Sequence, residues 1–291
     1  MKGNHKRLFF TVLLVIGGIF HAAAQQPLTA PADKVATIYG QKIHYLDTGS
    51  GPVVVLLHGM GGSAVNWAFT TPALTAKYRV IVPDQIGFGK SDKPLISYRV
   101  GTYVDFLDAL LKELKVEKAT LVGNSLGGWI AASYTLAHPD KVEKLVLVDA
   151  AGFNLGPKDD PNIVNALNPT TRAGVKQLLP LVLYNQALFA SDAAIDGFLT
   201  QRLMAGDGFT INMLIESIKR REDGLDGRLG DIKTPTLIIW GKQDKLTPLA
   251  WGERFKKEIA GAQMVVFDQC GHGPQLEKAA DFNATLLKFL P

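Results

Sequence analysis

The sequence predicts an α/β fold, a mostly parallel sheet of the eight-stranded type with helices on both faces and a helical insertion. Three observations lead there. Val53-Val54-Val55-Leu56-Leu57, Lys144 to Val148 and Thr236 to Trp240 are continuous apolar, β-branched runs, the pattern of strands buried on both faces rather than one. Segments of helical period separate these runs, which calls for crossover connections between parallel strands. From about Ala151 to Gly230 no convincing strand occurs, and such a length is too great for an ordinary connection.

The elements follow in chain order. Lys2, Lys6 and Arg7 precede an apolar run from Leu8 to Phe20, and Ala22-Ala23-Ala24 stands before Gln25. A positive start, a short apolar stretch and an A-x-A site form a secretory signal peptide pattern, expected over residues 1–24. The run is shorter than the ~20 apolar residues of a spanning helix, so no stable membrane span is expected after cleavage. An uncleaved anchor is the alternative. Residues 25–150 read as the first part of the core, 151–230 as a helical cap and 231–291 as the second part. In the first part, Ile43 to Asp47 alternates as a strand and Gly49 to Pro52 turns the chain. Arg79 to Pro83 is a short strand, and Val104, Leu107, Leu110, Leu111 and Leu114 mark one face of a helix over 100–114. Leu121-Val122 is a strand. The cap reads as helices over 177–189, 193–204 and 210–219. Met264 to Phe267 is the last strand and 281–290 the last helix.

Composition narrows the function. The 291 residues are 47% apolar and 20% charged, ordinary globular values. The formal charge of +4 falls to +1 once the three basic residues of the signal are removed, which leaves 28 basic against 27 acidic side chains. That balance gives no reason to expect nucleic acid as a partner. The single cysteine, Cys270, excludes an internal disulfide and reads as a small buried hydrophobe. No His/Cys/acid cluster has metal-ligand spacing, and the loop Gly59 to Gly62 lacks the lysine of a phosphate loop. The expectation is a small-molecule substrate, no cofactor and no metal.

The chemistry centres on Gly123-Asn124-Ser125-Leu126-Gly127, set between a strand and the helix that begins at Gly128-Trp129. G-x-S-x-G in that setting is a nucleophile elbow, a strained turn that lifts the serine hydroxyl above the sheet. A serine needs a base to take its proton, and His272 follows the last strand. The imidazole needs an acid behind it. Asp244, four residues beyond Trp240, supplies it, and Asp149 at the end of another strand is the rival. The order Ser125, Asp244, His272 is that of the hydrolases built on such sheets. An oxyanion hole is expected from the backbone N–H groups of Met60, in His58-Gly59-Met60-Gly61-Gly62, and of Leu126.

These motifs resemble the α/β-hydrolases of the esterase, epoxide hydrolase and haloperoxidase group. His58-Gly59, the run Asp84 to Asp92, the elbow, Trp240 to Asp244 and Gly271-His272 carry the likeness across residues 40 to 291. In the epoxide hydrolases and dehalogenases of that group the elbow nucleophile is aspartate, so Ser125 points to acyl transfer. The carboxyl half resembles the meta-cleavage product hydrolases, which split carbon–carbon bonds of ring-fission products. That likeness implies that Asn124 and Arg202, the latter as a contact for a substrate carboxylate, are substrate-binding residues. It rests also on Cys270-Gly271-His272 and Gln275-Leu276-Glu277. The family has tryptophan after the histidine, where this chain has Gly273. With the export signal, that departure places hydrolysis of a small apolar carboxylic ester first and carbon–carbon hydrolysis second. A ligand-binding protein on the same fold is the reading from another class. Perhydrolysis is compatible with the same residues.

Overall fold

In the computed structural model, residues 33–154 and 163–290 are described, and the expected signal peptide lies outside them. Eight strands form one sheet in the order β1-β2-β4-β3-β5-β6-β7-β8. They are β1 (Asp33–Ile38), β2 (Gln41–Thr48), β3 (Val53–Leu57), β4 (Arg79–Pro83), β5 (Ala119–Asn124), β6 (Val142–Val148), β7 (Thr236–Gly241) and β8 (Gln263–Phe267). The pairs β1–β2 and β2–β4 are antiparallel and the remaining five are parallel. Every residue of β5 and of β7 is buried, as continuous apolar runs require.

Strand β1 has no counterpart among the expected strands. Its alternation is weak because it lies at the sheet edge, with only Ala36 and Ile38 of its six residues buried. The helices are α1 (Thr71–Leu74), α2 (Val100–Glu113), α3 (Leu126–Ala137), α4 (Arg172–Val182), α5 (Asp192–Met204), α6 (Gly208–Lys219), α7 (Leu249–Glu258), α8 (Pro274–Glu277) and α9 (Ala279–Phe289). Helix α2 buries Val104, Leu107, Leu110 and Leu111 against the sheet, four of the five residues that marked its face.

Among the described residues the segment between β6 and β7 carries helices and no strand. Helix α4 is displaced from its expected span of 177–189. Thr171 begins it earlier, its hydroxyl accepting from the Gly174 N–H, a helix-start bond. It ends at Val182, where the chain crosses to the loop after β8. Helices α4 and α5 pack through Val175, Leu179 and Ile195.

Register brings the strand ends level. Leu57 pairs with Gly123, Asn124 with Val148, and Gly241 with Phe267. The loops after β3, β5, β6, β7 and β8 therefore leave the sheet at one edge, where open parallel sheets bind ligands. No helix of the described residues is long and apolar enough to cross a membrane.

Candidate active site

Ser125 stands between β5 and α3 with φ 56° and ψ −117°, a left-handed backbone that a serine adopts only when its surroundings impose it. The surroundings are on both sides. Its N–H donates to the Val148 carbonyl at 2.9 Å, and its own carbonyl accepts from Trp129 and Ala151 at 3.1 Å each. The flanking glycines are steric requirements. A Cβ on Gly123 would collide with the Gly127 backbone, and one on Gly127 would lie 2.7 Å from the His58 carbonyl oxygen. Leu126 opens α3, so its N–H belongs to the first turn, where amides lack helical acceptors and carry partial positive charge.

His272 and Asp244 are joined. Nδ1 of His272 is 2.7 Å from Asp244 Oδ2. The carboxylate is fixed by three further donors: the Leu246 N–H at 2.8 Å, the Thr247 N–H at 3.0 Å and the Thr247 hydroxyl at 2.6 Å. Nε2 of His272 is buried and has no hydrogen-bond partner among the described residues. An imidazole held at one nitrogen by a carboxylate, with the other unengaged, is arranged to accept a proton there.

The rival acid lies in the same cluster. Asp149, Asp244 and His272 place ligand-type atoms within 4.8 Å of one another. The Nδ1 contact goes to Asp244, while Asp149 Oδ1 accepts from the Gly241 N–H at 2.8 Å. Burial, with the Asp244 charge beside it, pushes the Asp149 carboxyl well above the usual range, against the pull of the Gly241 bond.

The loop after β3 lies against the elbow. A Cβ on Gly59 would be 3.2 Å from Ser125 Cβ, which places Met60 next to the serine. His58 holds this loop. Its Nδ1 is 2.8 Å from the Gly59 carbonyl, and its Nε2 accepts from the Gln85 N–H at 3.0 Å. Those partners assign the neutral tautomer, and burial lowers the His58 pKa in the same direction. Asp84 ties neighbouring turns together, accepting from Ala64 and Lys90 N–H groups and from His44 Nδ1.

Asn124 is placed differently from its expected role. Its amide donates to the carbonyls of Val148 and His272, at 3.3 and 3.2 Å, and so fastens the elbow to the histidine loop. Both bonds of that amide nitrogen go to backbone carbonyls.

Arg202, on α5, is only 9% exposed and is paired with Asp207, itself 1% exposed. Its guanidinium reaches the loop after β3, since a Cβ on Gly61 would lie 3.7 Å from Nη1. Nη1 donates to Asp207 Oδ2 at 3.1 Å, and Nε is buried without an acceptor among the described residues. Asp207 and Thr247 were not singled out in the sequence. Gly206, with φ 66°, turns the chain back after α5, and a glycine after a helix followed by aspartate is the signal that pointed there. The signal for Thr247 was a threonine three residues after an acid in a turn.

The model of the alpha/beta hydrolase fold family matches residues 52–191 and 212–279, a span that holds Ser125, Asp149, Asp244, Thr247 and His272 but not Arg202 or Asp207. The chain belongs to that family. Within the family its relatives include the group recognised from its motifs. A 2-hydroxy-6-oxononadienedioate/2-hydroxy-6-oxononatrienedioate hydrolase of Cupriavidus pinatubonensis is 34% identical over 265 residues, covering 86% of this chain and 90% of that one. A meta-cleavage product hydrolase of Pseudomonas fluorescens superposes with a TM-score of 0.79 at 30% identity, over 88% and 96% of the chains. A bacterial membrane phospholipase A superposes at 0.80 with 28% identity, over 89% and 85%.

Proposed function

We propose that this chain hydrolyses a carbon–carbon bond beside a ketone in a small unsaturated hydroxy-keto acid. The observation that carries the reading is Arg202, a buried cation placed beside the oxyanion loop. A buried arginine with an unengaged N–H suits a second carboxylate, and the Cupriavidus pinatubonensis relative is a hydrolase of hydroxy-oxo dienedioates and trienedioates. This reverses the order drawn from the sequence, where the ester came first. The buried Arg202 beside the loop after β3 and the likeness to the hydroxy-oxo dienedioate hydrolase support this order.

In this reading Ser125 Oγ attacks the ketone carbon as His272 takes its proton, and Asp244 stabilises the imidazolium. The N–H groups of Met60 and Leu126 hold the oxyanion. The carbon–carbon bond breaks, the departing carbon accepts a proton, and the acyl group stays on Ser125. Water activated by His272 then releases it as a carboxylic acid. The helices over the strand ends act as a cap that selects the substrate. Incubation with a 2-hydroxy-6-oxo-dienoate in ¹⁸O water tests this: two acids should form, with label in the acyl-derived one. Recovery of intact substrate would defeat the reading.

A second reading, hydrolysis of an apolar carboxylic ester, is favoured by Gly273 in place of the tryptophan of the resembled family and by the exposed Leu203, Met204 and Phe209 on the cap. We also infer export, from Lys2, Lys6, Arg7, the apolar run and Ala22–Ala24. A mature chain beginning at Gln25 is the expected result of N-terminal sequencing.

A further inference from the structure

We propose that Glu277 is a positioning residue that makes the seating of the cap and the placement of His272 a single event. The proposal rests on the reading of His272 as the base. Glu277 ends α8, five residues beyond His272, and its carboxylate lies between two backbone segments. Oε1 accepts from the Gly271 N–H at 2.8 Å, in the histidine loop. Oε2 accepts from the N–H groups of Tyr184 and Asn185 at 2.9 and 3.2 Å, in the strap that leaves α4.

The segments also meet directly. The His272 N–H donates to the Val182 carbonyl at 2.8 Å. Val182 is the last residue of α4, and its carbonyl is one of those a helix end leaves without an internal donor. A Cβ on Gly271 would lie 2.8 Å from both Tyr184 N and Val182 O, so only glycine allows this approach. Helix α4 packs on α5 through Val175, Leu179 and Ile195, and α5 carries Arg202. The side chain that would hold the substrate acid and the imidazole that would take the proton are thus linked through one carboxylate.

A carboxylate suits this position because both oxygens accept and the charge strengthens each bond. Glutamine has the same shape but one acceptor and an NH2 group, which would face N–H donors on one side. Glu277→Gln therefore severs one segment while leaving most packing in place.

The test compares full-length mature wild type, Glu277→Gln and Ser125→Ala by hydrogen–deuterium exchange, fluorophosphonate labelling and steady-state kinetics. The expected result for Glu277→Gln is faster exchange at Tyr184–Asn185 and at Gly271–His272 together. Labelling rate and kcat should fall in parallel by ~10-fold or more, as displaced catalytic groups cost, with the melting temperature changed by no more than about 4 °C. Unchanged labelling and kcat in an active background, or faster exchange at one segment alone, would overturn the proposal. Should Glu277→Gln not fold, Glu277→Asp, which keeps the charge on a shorter arm, is read by the same criteria. A wild type that takes no label would instead defeat the reading of Ser125 and His272, and the positioning role with it.

Discussion

The loops after β5, β7 and β8 and the helices between β6 and β7 meet at one site but are held in different ways. The loops are fixed by backbone and carboxylate bonds and by glycines that admit no side chain. Asp244 takes three donors besides His272. The segment between β6 and β7 packs α4 on α5 through three buried residues, sets Ile211, Leu214 and Ile215 of α6 into the main core, leaves Tyr184, Leu203, Met204 and Phe209 exposed, and borders an open groove of about 370 Å³ lined by Leu179, Pro180, Phe189 and Ile195. On the proposed function, chemistry falls to the loops and selectivity to the helices between β6 and β7, as catalytic machinery on a scaffold and specificity in its connections commonly divide.

The division is broken most forcefully at the loops. Asp244→Asn keeps the shape and removes the charge, so kcat should fall ~10⁴-fold, with circular dichroism unchanged. If kcat falls less than tenfold there and by thousands in Asp149→Asn, the acids have been assigned the wrong way round. Packing comes next. Gly127→Ala forces a Cβ into the Leu57 and His58 carbonyls and should destabilise the fold by about 3 kcal/mol or more. Gly206→Ala in the cap meets open space and only a strained φ, with an expected loss of about 1 kcal/mol. Urea unfolding of both variants compares the two regions directly; equal losses would erase the difference between them.

A third prediction concerns selectivity. Removing Arg202 alone would leave Asp207 buried and charged, so the pair Arg202→Gln with Asp207→Asn is the cleaner change. The ratio of kcat/KM for a keto acid to that for a neutral ester should fall ~10²-fold, about the worth of a charged hydrogen-bonded contact.

The smallest effect is expected at Asp149. Its folded-state pKa is raised, so the native state keeps a proton that the unfolded chain releases above the ordinary carboxyl value of about 3.9. That contribution to stability is full below this value and is lost as pH rises through the folded pKa. Asp149→Asn carries no such proton, so it should gain stability relative to wild type as pH rises above the ordinary carboxyl value of about 3.9, while kcat changes by less than about fivefold. A stability difference independent of pH would show that Asp149 is charged in the folded protein.

What the sequence revealed divides along the same line. Strands β3 to β7 were legible because buried strands leave continuous apolar runs, and β8 because Met264 to Phe267 is apolar although none of its residues is buried at the sheet edge; Ser125, Asp244 and His272 were legible because each follows such a run. Strand β1 was not, since an edge strand with two buried residues carries little hydrophobic pattern. In the cap, helical period located α5 and α6 to within two residues but misplaced α4, whose limits depend on the Thr171 hydroxyl and on a crossing to Glu277. Asn124 was recognised but its direction was not, because its partners come from β6 and from the histidine loop. Arg202 was legible only by resemblance. Its partner Asp207 follows a chain reversal at Gly206 that spacing alone does not orient.

The most direct test of the central claim is kcat/KM of the mature wild type for a 2-hydroxy-6-oxo-dienoate, set against a neutral p-nitrophenyl ester of similar size. The proposed function predicts preference for the keto acid, with cleavage into two acids. Turnover of the ester with the keto acid left intact would contradict it and assign the same serine to ester hydrolysis.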